Sequence, residues 1–236
     1  MKYLLIIIFF FFLKDALGQN QCSCDSNLRL KDEISCKSIL FHNKARLYRQ
    51  YNCDSSWMVF QSKIGRKKIL DSSVNELVDL TGRLGYSYVT EYRSTFLIQN
   101  NVISGCCDPP EFILFDKQTG NLKDNLGRLI FYSENSKYPV VMYLQNNNYK
   151  SFESRNMDNS FIKVLNVNSH KEYRIYLPKN RIGKTMKLTD EIFAEHLFDT
   201  EVKGNSIIIE YRYLTGKNNN KWVNSRIVVN RNSYTH

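Results

Sequence analysis

The stretch that decides the fold class is SIIIEYRYL, residues 206–214. On an extended strand Ile207, Ile209 and Tyr211 share one face, and Glu210 lies on the other. Apolar and polar residues that alternate with a period of two are typical of a strand with one face buried and the other in water. This stretch therefore predicts a half-buried β-strand.

Strand-like stretches recur along the chain on both sides of this one. A partner strand is predicted at Trp222–Val229, because the Gly and Asn residues of Thr215–Asn220 suit a turn. Other short runs rich in Tyr, Phe, Ile and Val predict further strands. They are Ala45–Tyr51, Trp57–Gln61, Tyr86–Glu91, Thr95–Gln99, Phe112–Phe115, Leu129–Tyr132, Val140–Leu144, Phe161–Val167 and Tyr173–Leu177. We expect an all-β antiparallel fold, either a sandwich or a propeller-like meander.

Two segments favour helix, so the fold should include one or two short helices. Ser73–Glu76 matches the S-x-x-E capping box, with Gly82 or Gly85 available to end the helix. Thr189–Leu197 carries acidic residues in its first turn, where the helix dipole favours them. Both helices are predicted to cover an end of the β structure.

The N-terminus has the pattern of an export signal, Met1–Gly18. Lys2 is followed by the apolar run Tyr3–Leu13, and small residues precede a cleavage point before Gln19. A helix of this run would rise about 16 Å, too little for the ~30 Å core of a membrane. The sequence therefore predicts a secreted or periplasmic protein without a transmembrane anchor.

Residues 19–236 are predicted to form a single all-β domain. The strongest internal boundary is CCDPP at 106–110, because consecutive prolines interrupt strand pairing. This boundary would divide the domain into two lobes. A weak internal echo relates residues 112–120 to residues 163–170, each an apolar strand followed by a polar turn. Blade-like repeats would produce this echo, and so would any two hairpins.

The chain has six cysteines, an even number that predicts disulfide bonds in an oxidising compartment. Cys36 and Cys53 flank two strand-like runs around a turn at 42–44, so they could bond across a hairpin. Neighbouring cysteines more readily bond to different partners than to each other. The expected set is therefore Cys36 with Cys53, and Cys22 and Cys24 with Cys106 and Cys107. A thiolate metal site is the rival reading, but the cysteine spacing does not fit zinc knuckles.

Basic residues outnumber acidic ones by 33 to 23, which gives a formal net charge of +10. The densest cluster is Lys63, Arg66, Lys67 and Lys68. A basic balance attracts polyanions such as acidic polysaccharides, anionic lipids and nucleic acids. For an exported protein we rank a cell-surface glycan or another protein above nucleic acid. The plain alternative is a solvated hairpin loop.

Motifs of common chemistries are missing from the sequence. The nucleophile elbow, the H-E-x-x-H metal motif, the Walker loop and the dinucleotide-binding fingerprint do not occur. We therefore predict no metal and no cofactor, and we assign no catalytic residue. Paired carboxylates need no fixed spacing, so Glu91, Asp108, Glu111 and Asp116 stay open as scattered candidates for a glycan hydrolase.

Aromatic residues are the remaining signal. Trp57, Tyr211, Tyr213 and Trp222 are candidates for ligand binding, because sugar and peptide ligands stack on aromatic rings. Core packing is the alternative role for each. The first functional hypothesis is an exported, disulfide-containing binding or interaction protein. The alternatives are an extracellular glycan hydrolase and an inhibitor or immunity-type protein that binds a protein partner.

Overall fold

The computed structural model of the chain describes residues 22–26, 29–82, 84–101, 110–134, 139–146, 160–176, 198–215, 221–230 and 233. Antiparallel strands in four sheets dominate these residues, accompanied by two short helices. The predicted all-β fold class is therefore confirmed. None of the helices in these ranges is long and apolar enough to cross a membrane.

The chain divides into two compact units, Met1–Leu84 and Gly85–His236. The predicted export signal, residues 1–18, lies outside the described residues, and so do residues 106–109 of the predicted lobe boundary. A single domain over residues 19–236 stays a prediction.

The first sheet belongs to the N-terminal unit, and its strands follow chain order. They are β1 (Ile39–Leu40), β2 (Arg46–Tyr51), β3 (Ser55–Gln61) and β4 (Lys67–Val74), each antiparallel to the next. Asn52 shapes the turn between β2 and β3, because its Oδ1 accepts the backbone N–H groups of Asp54 and Ser55 at 2.9 and 2.8 Å. The turn between β3 and β4 contains Gly65, whose φ of 85° suits glycine.

Two disulfide bonds fasten the segment before the first sheet. Cys22 bonds to Cys36 and Cys24 bonds to Cys53, with Cα–Cα distances of 6.5 and 4.8 Å. The expected bond between Cys36 and Cys53 is therefore wrong. The pairing of β1 with β2 is confined to residues 39–40 and 46–47, so the hairpin does not bring these two cysteines together.

Because Cys22 and Cys24 are already bonded, their expected bonds to Cys106 and Cys107 are also wrong. Cys106 and Cys107 lie outside the described residues. The helix α1 (Arg29–Glu33) lies in the chain between the bonded cysteines and contributes the fully buried Leu30. A small core surrounds the two bonds, formed by Cys24, Leu30, Ile34, Tyr51 and Val78.

The first predicted helix is present as α2 (Asn75–Thr81). It ends at Gly82, whose φ of 63° lies in the left-handed region, as predicted. The predicted capping box is wrong, because Ser73 lies in β4 and the helix begins after Val74 without a side-chain cap. The second predicted helix, Thr189–Leu197, lies outside the described residues.

The C-terminal unit contains three further sheets, each a meander in which neighbouring strands are consecutive in the chain. The second sheet has β5 (Tyr86–Glu91), β6 (Thr95–Asn100), β7 (Glu111–Asp116) and β8 (Leu122–Gly127). The third has β9 (Phe131–Tyr132), β10 (Val140–Asn146), β11 (Ser160–Asn166) and β12 (Glu172–Tyr176). The fourth has β13 (Phe198–Lys203), β14 (Ser206–Thr215) and β15 (Lys221–Asn230). The predicted C-terminal hairpin is confirmed as β14 and β15.

The third sheet is packed on both faces. Alternate residues of its strands, such as Met142 and Ile162, join a core that it shares with the fourth sheet. Ile209 and Val229 are the fourth sheet's contribution to this core. The intervening residues, such as Val141 and Leu165, join a core that it shares with the second sheet. Leu97 and Leu114 are the second sheet's contribution to this core. This is why β10 begins with an unbroken apolar run. Within this unit, consecutive meanders therefore pack face to face.

The internal echo in the sequence corresponds to two equivalent turns. After β7 and after β11, the last strand residue, Asp116 or Asn166, accepts through Oδ1 two backbone N–H groups at 2.8 to 3.0 Å. Each turn closes through a residue with positive φ, Gly120 at 68° and His170 at 56°. The sequence echo therefore marks a repeated hairpin.

The repeat extends to the first sheet. In three sheets, the residue that directly follows one strand donates its backbone N–H to a carbonyl oxygen. The acceptor belongs to the residue that directly precedes the strand before it. The bonds are Asn75 to Asp54 at 2.9 Å, Lys117 to Ser94 at 2.9 Å, and Val167 to Pro139 at 2.7 Å. All three donor residues are buried. The first three sheets thus share one structural unit of consecutive strands.

Candidate functional site

Three of the predicted ligand-binding residues lie in the fourth sheet. Tyr211 is 2% exposed and stacks on Phe198 with ring centroids 5.6 Å apart, so it is a core residue and not a ligand contact. Tyr213 lies in β14, and its side chain is outside the described part of the structure. Trp222 is 44% exposed, with the Arg212 guanidinium 5.3 Å from its ring centroid.

Trp57 lies in the N-terminal unit, on the face of the first sheet opposite the buried residues Leu47 and Tyr51. We call this face the open face. Strand register arranges its side chains in rows that run across the strands. The rows are Leu40, Arg46, Gln61 and Lys67; then Tyr48, Val59 and Ile69; then Gln50, Trp57 and Ser72. Basic, aromatic and amide side chains therefore share one surface.

Large apolar side chains at the margins of the open face are exposed to solvent. Leu40 is 62% exposed and Ile69 is 60% exposed, whereas the central Val59 is 3% exposed. Val74, the last residue of β4, is 52% exposed. Leu40 and Ile69 lie three strands apart, so they are separate apolar contact points at the edges of the face and not one contiguous patch.

Trp57 is held by a hydrogen bond on the open face. Its Nε1 donates to Gln50 Oε1 at 3.1 Å, and the two residues are directly opposite each other on β3 and β2. Gln50 Nε2 donates to no acceptor among the residues that the structure describes. The half-buried ring therefore lies next to an amide donor, a pair that suits a ligand with both C–H and hydroxyl groups.

Positive charge is concentrated at one end of the open face. Arg46 and Lys67 lie in its first row, and the exposed residues Lys63 and Arg66 lie in the turn between β3 and β4. Within the described ranges, none of the four forms an ion pair with a carboxylate. Their charges are therefore available to attract an anion.

The acidic residue of β1–β4 is on the reverse face of the sheet. Asp71 is opposite Met58, which is itself opposite the buried Arg49, so these three residues form one row on the reverse face. Arg49 Nη2 donates to the Leu84 carbonyl oxygen at 2.8 Å. Burial lowers the pKa of Arg49, and the negative charge of Asp71 offsets part of this effect. Asp71 thus acts on Arg49, and the open face has no carboxylate of its own.

Protein-family models, curated proteins and solved structures give no match to this chain. The open face therefore has to be interpreted from its own chemistry.

Two of the candidate carboxylates of a hydrolase, Glu91 and Asp116, have structural roles. Glu91 binds the ammonium group of Lys117 at 2.5 Å. Partial burial alone would raise the pKa of Asp116, but hydrogen bonds from Thr119 and Gln118, together with Lys123, outweigh it and lower that pKa. Asp108 lies outside the described residues. No cluster of His, Cys, Asp and Glu among the described residues could hold a metal ion.

Sequence reasoning selected Trp57 and the basic cluster but missed Arg46, Tyr48 and Gln50. The signal that could have found them is the alternation within β2, where these residues separate Leu47, Arg49 and Tyr51. Because Arg49 and Tyr51 are buried although they carry polar atoms, hydropathy alone did not reveal which face is the outer one.

Proposed function

We propose that this chain is an exported binding protein that holds a glycan on the open face of the first sheet. The observation that carries the proposal is the hydrogen-bonded pair Trp57 and Gln50, which lies in one surface with exposed apolar and basic side chains. Sugars present C–H faces that pack on aromatic rings, and hydroxyl groups that bond to amides and cations.

The disulfide bonds support export. Cys22–Cys36 and Cys24–Cys53 suit an oxidising compartment, outside the cell or in a periplasm. The sequence pattern of Met1–Gly18 adds an export signal to this proposal.

Binding of a protein partner is the second candidate function. It is favoured by Trp222 and Val228, which are 44% and 59% exposed on one face of β15. Exposed tryptophan beside an arginine is typical of protein-binding hot spots. The glycan proposal ranks first because its surface combines an aromatic ring, an amide donor and unpaired cations, whereas Arg226 on β15 approaches Glu210 at 3.9 Å.

The test is glycan binding by the secreted, oxidised chain and by two matched tryptophan variants. Screening on an array of neutral and charged glycans identifies the ligand, and calorimetry then measures affinity. We expect Trp57→Ala to weaken binding about tenfold or more, as for a central aromatic contact. The control Trp222→Ala removes the same side chain from the fourth sheet and should leave affinity unchanged.

Three outcomes would contradict the proposal. One is the absence of binding to any glycan. Another is a Trp57→Ala variant that folds, by circular dichroism, and binds with full affinity. The third is binding lost in Trp222→Ala but retained in Trp57→Ala, which would assign the ligand to the fourth sheet.

A further inference from the structure

We infer that the glycan bound on the open face is an anionic polysaccharide, with a sulfate or carboxylate group in most of its repeating units. The inference rests on the proposed function and adds the chemical class of the ligand. It comes from the charge distribution of the first sheet, which is independent of the Trp57 contact.

One end of the open face and the turn that adjoins it carry only positive charges among their charged residues. Arg46, Lys63, Arg66 and Lys67 have no carboxylate partner within the part of the chain that is described, and Asp71 is on the reverse face. A neutral sugar would leave these cations without a partner. A negatively charged ligand would be attracted to them over several ångströms, and salt would weaken that attraction.

The spacing of the cations favours a polymer over a small anion. Arg46 and Lys67 lie on either side of Gln61, two strand spacings apart, which is about 10 Å. Trp57 lies on the same strand as Gln61, four residues away, or about 13 Å. A single phosphate or sulfate ion cannot reach all of these groups. An extended chain of several sugars with repeated negative charges can.

The aromatic content of the face favours a polysaccharide over single-stranded nucleic acid. Nucleic-acid platforms stack successive bases on several exposed rings. On the open face, Trp57 and Tyr48 are both half-buried, and the indole N–H of Trp57 is already bonded to Gln50. Such a surface packs against the edge of a sugar chain and bonds its hydroxyl groups.

The experiment measures affinity of the secreted chain for heparin, hyaluronate and neutral dextran at low and high salt. The test variant is Lys63→Gln/Lys67→Gln. The control is Lys31→Gln/Lys37→Gln, which removes the same charge from exposed positions of the same unit that are outside the strands of the open face and outside its basic turn. Each lost contact in water weakens binding about fivefold, so the test variant should bind about 25-fold more weakly and the control should match the wild type.

Tighter binding of heparin or hyaluronate than of dextran, weakened by salt and by the test variant alone, supports the inference. Hyaluronate carries carboxylates alone, so its binding would show that a carboxylate suffices; heparin carries both groups, so binding of heparin alone would indicate that sulfate is required. Equal binding of dextran, or equal losses in test and control variants, overturns the anionic class but leaves the glycan-binding function intact. No binding to any glycan, neutral or charged, overturns the proposed function as well.

Two further probes test whether the chain binds any polyanion. These are a double-stranded DNA oligomer and vesicles that contain phosphatidylserine. If either binds as tightly as heparin, and Trp57→Ala does not change that affinity, the positive charge is not specific for a polysaccharide and the inference is overturned.

Discussion

Replacing Lys117 by methionine removes a buried positive charge from the second sheet and keeps a side chain of similar length. The Lys117 ammonium group binds Glu91 Oε1 at 2.5 Å and the Tyr92 carbonyl oxygen at 2.7 Å. The side chains of Lys117 and Glu91 are only 6% and 11% exposed. The variant therefore leaves the Glu91 carboxylate without the cation that it binds.

We expect Lys117→Met to lower the free energy of unfolding by about 3 to 5 kcal/mol, because removal of one partner leaves the other charge buried. Lys117→Met/Glu91→Gln removes both charges and should recover most of the loss, to within about 1.5 kcal/mol of the wild type. The third sheet supports this expectation, since the equivalent position there is occupied by the fully buried Val167.

Urea unfolding followed by circular dichroism measures these differences, provided that the dependence on urea is the same in all variants. The single variant Glu91→Gln completes a double-variant cycle, which isolates the interaction between the two residues. The reasoning is refuted if Lys117→Met is as stable as the wild type. It is also refuted if the double variant is as unstable as the single one, because the loss would then come from packing and not from charge.

Three other predictions concern stability. Cys24→Ser/Cys53→Ser removes a disulfide bond between residues 29 apart in sequence. It should lower the free energy of unfolding by roughly 3 to 4 kcal/mol through loop entropy; an unchanged urea-unfolding curve would contradict this bond. Gly82→Ala places a side chain at a φ of 63° and should lower the free energy of unfolding by about 1 to 2 kcal/mol. Asn tolerates the left-handed region better than Ala, so an equal loss in Gly82→Asn would contradict this reason. The pKa of Asp116 is lowered on folding. Its contribution to folding stability is therefore fully present above its unfolded pKa of about 4, and it is lost as pH falls through the folded pKa. Asp116→Asn should therefore be less sensitive to acid below about pH 4, and identical pH profiles would contradict this.

The sequence predicted those strands whose apolar residues alternate or form dense runs. Ser206–Thr215 is the clearest, because a single core covers one of its faces. It missed β4, β8 and β13, which carry many charged residues. These polar segments form strands because each pairs with a more apolar neighbouring strand, which fixes its backbone. The sequence of the polar segment alone does not show this pairing.

Long-range contacts explain the wrong predictions. Ser73 has the sequence of a helix cap, but the sheet pairs its backbone with Ser56 in β3. The cysteine pairs depend on how the segment before β1 returns to the sheet, where Cys22 forms a parallel bridge with Tyr51. Lys117 belongs to a polar turn in sequence, and its burial follows from contacts with the turn between β5 and β6.

The candidate site was predicted only in part for a similar reason. Trp57 and the basic cluster can be selected by residue type, but the register between β2, β3 and β4 decides that Lys67 shares a face with Trp57 and that Lys68 lies on the reverse face. Tyr211 could have been rejected from the sequence, because it shares a strand face with Ile207 and Ile209, which the same alternation predicts to be buried.

Chemical footprinting of lysines tests most directly whether the open face binds the ligand. The secreted chain is acetylated with and without heparin, and mass spectrometry gives the rate at each lysine. We predict that heparin protects Lys63 and Lys67, while Lys31 and Lys37 react at unchanged rates. Equal protection of all four, or protection of Lys221 in the fourth sheet with none at Lys63 and Lys67, would contradict the account.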